Sequence, residues 1–139
     1  MDNSILRRYT RQEGDPAGSN VVDLEATDDL GAFGFQRGLR DRCLMLELRR
    51  KNGNVLALGY AWLHRIEFNP SEGITLWFSG QKVTIKGRNL NAEVRPTVRL
   101  FDGLTRHRVP WIREASQAEV MEANTDACLI ESITWDASR

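Results

Sequence analysis

Residues Leu44–Ile85 read LMLELRRKNGNVLALGYAWLHRIEFNPSEGITLWFSGQKVTI, and the alternation in this stretch decides the fold. Leu44, Leu46 and Leu48 alternate with Met45, Glu47 and Arg49. Leu56, Leu58, Tyr60 and Trp62 follow, then Ile66 and Phe68, then Ile74, Leu76 and Phe78, then Val83 and Ile85. A period of two is that of a strand with one buried face. Four antiparallel strands are predicted.

The turns test whether these faces agree, because opposed residues in an antiparallel pair point to the same side. A three-residue loop, Lys51-Asn52-Gly53, sets Leu48 against Leu56, Leu46 against Leu58 and Leu44 against Tyr60. Residues 69–73, with Pro70, set Phe68 against Ile74 and Ile66 against Leu76. Gly80-Gln81 as a two-residue turn sets Phe78 against Val83 and Leu76 against Ile85. All three turns keep one apolar face.

After Gly87 the period lengthens. Val94, Val98, Phe101 and Leu104 recur at helical spacing, with Pro96 suited to a first turn. A helix over about 95–107 is predicted, with Arg95, Arg99 and Arg106 around Asp102 on its outer stripe. Val109–Ala115 reads either as a last strand or, with Pro110 in a first turn, as a second helix. Ser116-Gln117-Ala118-Glu119 has the form of a capping box, favouring helix around 117–123. Ala127–Trp135 reads as a strand or docking segment.

The fold class is therefore α+β. A four-stranded antiparallel β-meander over about residues 43–87 carries one helix, about 95–107, on its apolar face, with an extra helix or strand at the C-terminal end. Residues 1–35 are expected to form an acidic, largely flexible arm in which only Val21–Leu24 offers a short edge strand. Residues 36–115 form a basic core and 116–139 an acidic extension.

Composition bounds the function. With 139 residues, 41% hydrophobic and 27% charged, the chain is expected to form one soluble domain with extensions. Residues 36–113 carry 15 Lys and Arg against 6 Asp and Glu, whereas 1–35 carry 3 against 7 and 114–139 carry 1 against 6. A basic body between acidic ends is either a binding surface or a body neutralised by its own flanks. No apolar run reaches the roughly 18 residues of a membrane span, and the first residues lack the apolar stretch of a signal peptide. Cys43 and Cys128 stand far apart, in neither a zinc nor a disulfide spacing. A cytoplasmic protein with reduced thiols, without metal or cofactor and without membrane association, is the expectation.

Three functional readings follow, in order. The odd positions of the second strand are Val55, Ala57, Gly59, Ala61 and Leu63, small and apolar where a solvated face would be polar. They predict a non-enzymatic interaction or scaffold module that self-associates, as a homodimer, through the outer sheet face, or binds another protein there. The alternative is a nucleic-acid module. Trp77 opposite Thr84, flanked by Lys82 and Lys86, followed by Arg88 and joined by Arg95, Arg99 and Arg106, would stack bases and neutralise phosphates. The third is a pocket or enzyme around His64, lined by Tyr60, Trp62 and Phe101. Against catalysis, Glu67 points to the opposite side of the strand from His64, and His107 serves the negative end of the helix. No nucleophile elbow and no phosphate-binding glycine motif is present.

Overall fold

Alternating strands bury one face each, and here two sheets rather than one close over the buried side chains. The computed structural model describes residues 27–38 and 42–137. Its strands are β1 Thr27–Asp29, β2 Gly34–Gln36, β3 Met45–Arg49, β4 Val55–Gly59, β5 Leu63–Asn69, β6 Gly73–Phe78, β7 Gln81–Arg88, β8 Trp111–Arg113 and β9 Leu129–Ala137. Two short helices join them, α1 Leu100–Thr105 and α2 Gln117–Glu122. β1 and β2 form a hairpin, one sheet has the order β4-β3-β8, and the other β5-β6-β7-β9. Most of the expected acidic arm, including Val21–Leu24, lies outside the described residues.

Within hairpins the registers follow the leucine alternation. Leu46 pairs with Leu58 and Leu48 with Leu56, across a loop in which Gly53 takes φ +97°. Phe68 pairs with Ile74 and Ile66 with Leu76. The inner faces of both sheets meet in one core: Leu46, Leu48 and Ile112 from the first, Ile74, Leu76, Phe78, Val83, Ile85, Ile130 and Ile133 from the second. Burying each such side chain contributes about 1.5–3 kcal/mol.

The single four-stranded meander is corrected by a break at its second strand. Tyr60–Trp62 form a 3-10 turn, so the expected long strand becomes β4 and β5, which belong to different sheets. The cause is Tyr60. Its ring is buried and stacks on His107 with centroids 4.5 Å apart, while its hydroxyl donates to Val109 O at 2.6 Å. Periodicity carries no trace of that tertiary socket. The next turn also differs by two residues. Ser79-Gly80 is the loop, Gly80 takes φ +85°, and Leu76 faces Val83 while Phe78 faces Gln81. A shift of two leaves every side chain on its expected face.

The helix expected over 95–107 is only α1. Arg95 and Val98 form an isolated bridge around Pro96-Thr97, with Thr97 at φ +65° and its N–H donating to Glu93 Oε2 at 2.9 Å. Pro96 thus opens a reverse turn, whose four-residue span imitates helical spacing. At the other end His107 takes φ +58°, Arg108 N donates to Gly103 O at 2.8 Å, and His107 N donates to Leu104 O at 3.2 Å. This is a Schellman stop with histidine in the left-handed position. The helix still covers the core through Leu100 and Leu104, and Phe101 meets Phe68 at 6.0 Å.

Described residues from both acidic segments join this fold. Phe33, between β1 and β2, is fully buried and bridges Ile112. Val109–Ala115 resolves as strand β8, parallel to β3, with Glu47 against Trp111 and Leu48 against Ile112. Ser116 and Glu119 form the expected capping box at the start of α2. β9 pairs antiparallel with β7, Ile85 against Ile133. Among the described residues no helix is long and apolar enough to cross a membrane.

Candidate functional site

The first hairpin sorts its side chains by parity: Leu46 and Leu48 are fully buried, while Met45, Val55 and Ala57 face solvent. Five large apolar side chains are strongly exposed among the described residues, and four of them, Leu44, Met45, Val55 and Trp62, lie on or beside this hairpin. Trp62 is 63% exposed. Its indole closes over Gly59, where an added Cβ would lie 3.1 Å from Trp62 Cδ1 and 3.7 Å from Met45 Sδ. A strand glycine here admits an aromatic ring onto the backbone. Met45, Gly59 and Trp62 therefore form one apolar platform, continued by Ala57 and Val55.

Sequence reasoning placed Val55, Ala57, Gly59, Ala61 and Leu63 in one row. The structure keeps the first three on the outer face of β4, puts Ala61 in the 3-10 turn and starts β5 with Leu63. It adds Met45 and Trp62, which that reasoning missed. Trp62 occupied an even, inward position in an unbroken strand. The signal that would have found it is Gly59 itself, a glycine inside a strand pattern.

The remainder of this face is polar. Arg49 Nε donates to Glu47 Oε1 at 3.0 Å and its guanidinium lies 4.8 Å from the Trp111 ring, which covers Gly34. Arg113 holds Glu119 through two hydrogen bonds of 3.0 and 2.7 Å. That pairing, together with the Ser116 N–H, holds the Glu119 carboxyl down at about 2.

The nucleic-acid candidates are divided by the structure. Trp77 faces Lys82 rather than Thr84 across the outer face of the second sheet, and Lys86 lies on the same side of β7. The Trp77 ring is already in contact with cations, Arg65 at 4.4 Å and Lys82 at 5.7 Å, and Arg65 in turn pairs with Glu67. Arg88 pairs with Glu131. The expected helical stripe of arginines does not form, because Arg95 and Arg99 precede α1 and Arg106 follows it. Arg95 pairs with Asp28, Arg99 donates to Asn91 O, and Arg106 pairs with Asp102.

The pocket expected around His64 is likewise redistributed. His64 is the extra residue at a bulge between Leu63 and Arg65, exposed rather than opposite Phe78. Tyr60 is core, Trp62 is on the surface and Phe101 packs on Phe68. His107 stacks on Tyr60, and burial, then Arg42, lowers its pKa. A cavity of about 110 Å³ does exist elsewhere, between Leu30–Ala32, Arg113, Ala115, Glu119 and Cys128–Ile130. Cys43 and Cys128 are free thiols whose pKa burial raises, Cys128 to about 11. Among the described residues no cluster of His, Cys, Asp and Glu is suited to a metal ion.

The chain matches no protein-family model, no curated protein and no solved structure.

Proposed function

We propose that this chain is a non-enzymatic interaction module that self-associates through the outer face of the β3–β4 hairpin. The observation that supports it is that three of the five large apolar side chains exposed among the described residues, Met45, Val55 and Trp62, gather on that face. Scattered exposed leucines are normal on any protein, but a contiguous apolar platform marks an interaction surface. The polar half of the same face, Glu47, Arg49 and Arg113, has the composition of an interface rim.

A nucleic-acid surface has less behind it. Four of its arginines are engaged by carboxylates or backbone carbonyls, and Glu67 lies next to Trp77's cation partner.

Sedimentation velocity on the full chain, from low micromolar to near-millimolar concentration, tests the proposal. The expected result is a monomer–dimer equilibrium that Trp62→Glu shifts to monomer while the circular dichroism spectrum is unchanged. A wild type that stays monomeric throughout that range removes self-association.

A further inference from the structure

Among the described residues, the sheet edges at β9, β8, β5 and β1 are guarded. At β9, Arg50 Nε donates to Ile133 O at 2.9 Å and Ile133 N donates to Glu114 Oε2 at 2.7 Å, so side chains occupy the place of a neighbouring strand. At β8, Arg113 N donates to Ala32 O at 3.0 Å and Ile112 bridges Phe33. β5 carries His64, Arg65 and Glu67 and is followed by Pro70, the charges and proline that protect an edge. β1 carries Asp28 and Asp29. β4 has none of these, and no described strand lies on its far side. From Asn52 to Trp62 the chain has no charged residue at all.

The hydrogen-bond parity of that edge is fixed. Arg50 N donates to Asn54 O at 2.8 Å and Tyr60 N to Leu44 O at 3.0 Å, so the even residues of β4 bond to β3. Val55, Ala57 and Gly59 therefore direct their N–H and C=O groups outward.

We infer that two copies of the chain join edge to edge, β4 against β4 in antiparallel register centred on Ala57, giving a continuous sheet β8-β3-β4-β4-β3-β8. This rests on the self-association reading above and specifies its geometry. In that register the outward-directed residues form the hydrogen-bonded pairs: Ala57 meets Ala57 of the second copy, and Val55 meets Gly59. On the outer face the larger side chain thus falls opposite the smallest. Val55 of one copy comes against the Trp62–Gly59–Met45 platform of the other. On the inner face Leu56 falls opposite Leu58, both only half-buried in the single chain. An uncharged strand sets no like charges against itself, and self-pairing requires no complementary charge from a foreign partner. The short edge makes this a small interface, in the range of transient dimers.

Residue-resolved amide exchange across the same concentration series tests the geometry. As dimer forms, the amides of Val55, Ala57 and Gly59 should slow about tenfold or more, while Leu56 and Leu58, already bonded to β3, do not change. Ala57→Lys places a lysine beside Glu47 of its own β3 but opposite its own copy across the dyad. It should keep the fold and weaken the dimer about tenfold or more. A dimer whose three outward amides exchange as fast as in dilute solution overturns edge pairing and leaves self-association standing. Monomer at every concentration overturns both. Protection equal at all concentrations means the edge is closed within one chain and also overturns the inference. If Ala57→Lys fails to fold, the wild-type exchange pattern decides alone.

Discussion

Glu114 is expected to be the most costly single carboxylate in this fold, because it joins the two sheets. Its N–H donates to Arg49 O at 2.9 Å, aligning it with the end of β3. Its two side-chain oxygens then accept from Lys51 N at 2.9 Å and from Ile133 N at 2.7 Å. The first partner lies in the exposed β3–β4 turn and the second on β9, whose Ile133 is 1% exposed. Truncation to alanine leaves the Ile133 N–H without a partner in a site water reaches poorly. A hydrogen bond to a charged acceptor contributes about 1.5–3 kcal/mol net, and an orphaned buried donor costs a similar amount. Counting the exposed Lys51 bond at about 0.5 kcal/mol, Glu114→Ala should lose about 3 kcal/mol. For a domain near this size that is a fall in Tm of about 6–12 °C. Glu114→Gln, which keeps one acceptor, should lose about half as much. The assay is urea unfolding followed by tryptophan fluorescence, with Glu67→Ala as comparison. Glu67 forms an exposed 2.6 Å ion pair with Arg65, worth about 0–1 kcal/mol. A Glu114→Ala protein as stable as Glu67→Ala would refute the view that side chains close the β9 edge.

Two further outcomes are expected. Glu119 is held at about 2 by Arg113 and the Ser116 N–H, against an ordinary 4.5. Its contribution is present above about pH 4.5 and is lost as pH falls toward 2. Because the pair is partly exposed, the contribution is below about 1 kcal/mol. The stability difference between wild type and Glu119→Gln, measured by denaturant titration, should therefore shrink over that window and stay constant above it. Gly87 lies at the bulge of β7, where an added Cβ would meet Leu129 O at 2.0 Å. Gly87→Ala should force β9 away and cost about 2–3 kcal/mol in the same unfolding assay; a loss under about 0.5 kcal/mol would show the bulge to be pliable.

What the sequence made legible was local. Strand existence and pairing across Lys51-Asn52-Gly53 and across 69–73 follow from alternation, because a one-residue slip would expose every leucine. The capping box at Ser116 is legible for the same reason: its partners are three residues apart. Which sheet a strand joins is not local. Tyr60 leaves the strand because Val109 and His107, nearly fifty residues later, hold its hydroxyl and ring. The acidic flanks carried their charge in full view, yet the informative residues within them were Phe33, Ile130 and Ile133, apolar side chains entering a core that other segments also build. Val94 and Val98 shared a spacing that a reverse turn and a helix produce equally well.

The candidate surface was legible only in part, and the part that was missed bears on how a partner would bind. Alternation exposed Val55, Ala57 and Gly59, residues with little side chain to bury. At about 25 cal/mol per Å² such methyl groups return little from packing face to face. Main-chain pairing is indifferent to that poverty, since the groups it joins are the N–H and C=O that these same residues turn outward. Small side chains then become permissive, letting a second backbone approach. The apolar area comes from Met45 and Trp62, which the chain brings alongside from β3 and from the 3-10 turn. An edge partner would touch both the bare backbone and that platform, whereas a face partner would reach the platform but leave the outward N–H and C=O groups unpaired. Edge pairing therefore makes fuller use of this hairpin than sheet-on-sheet packing does.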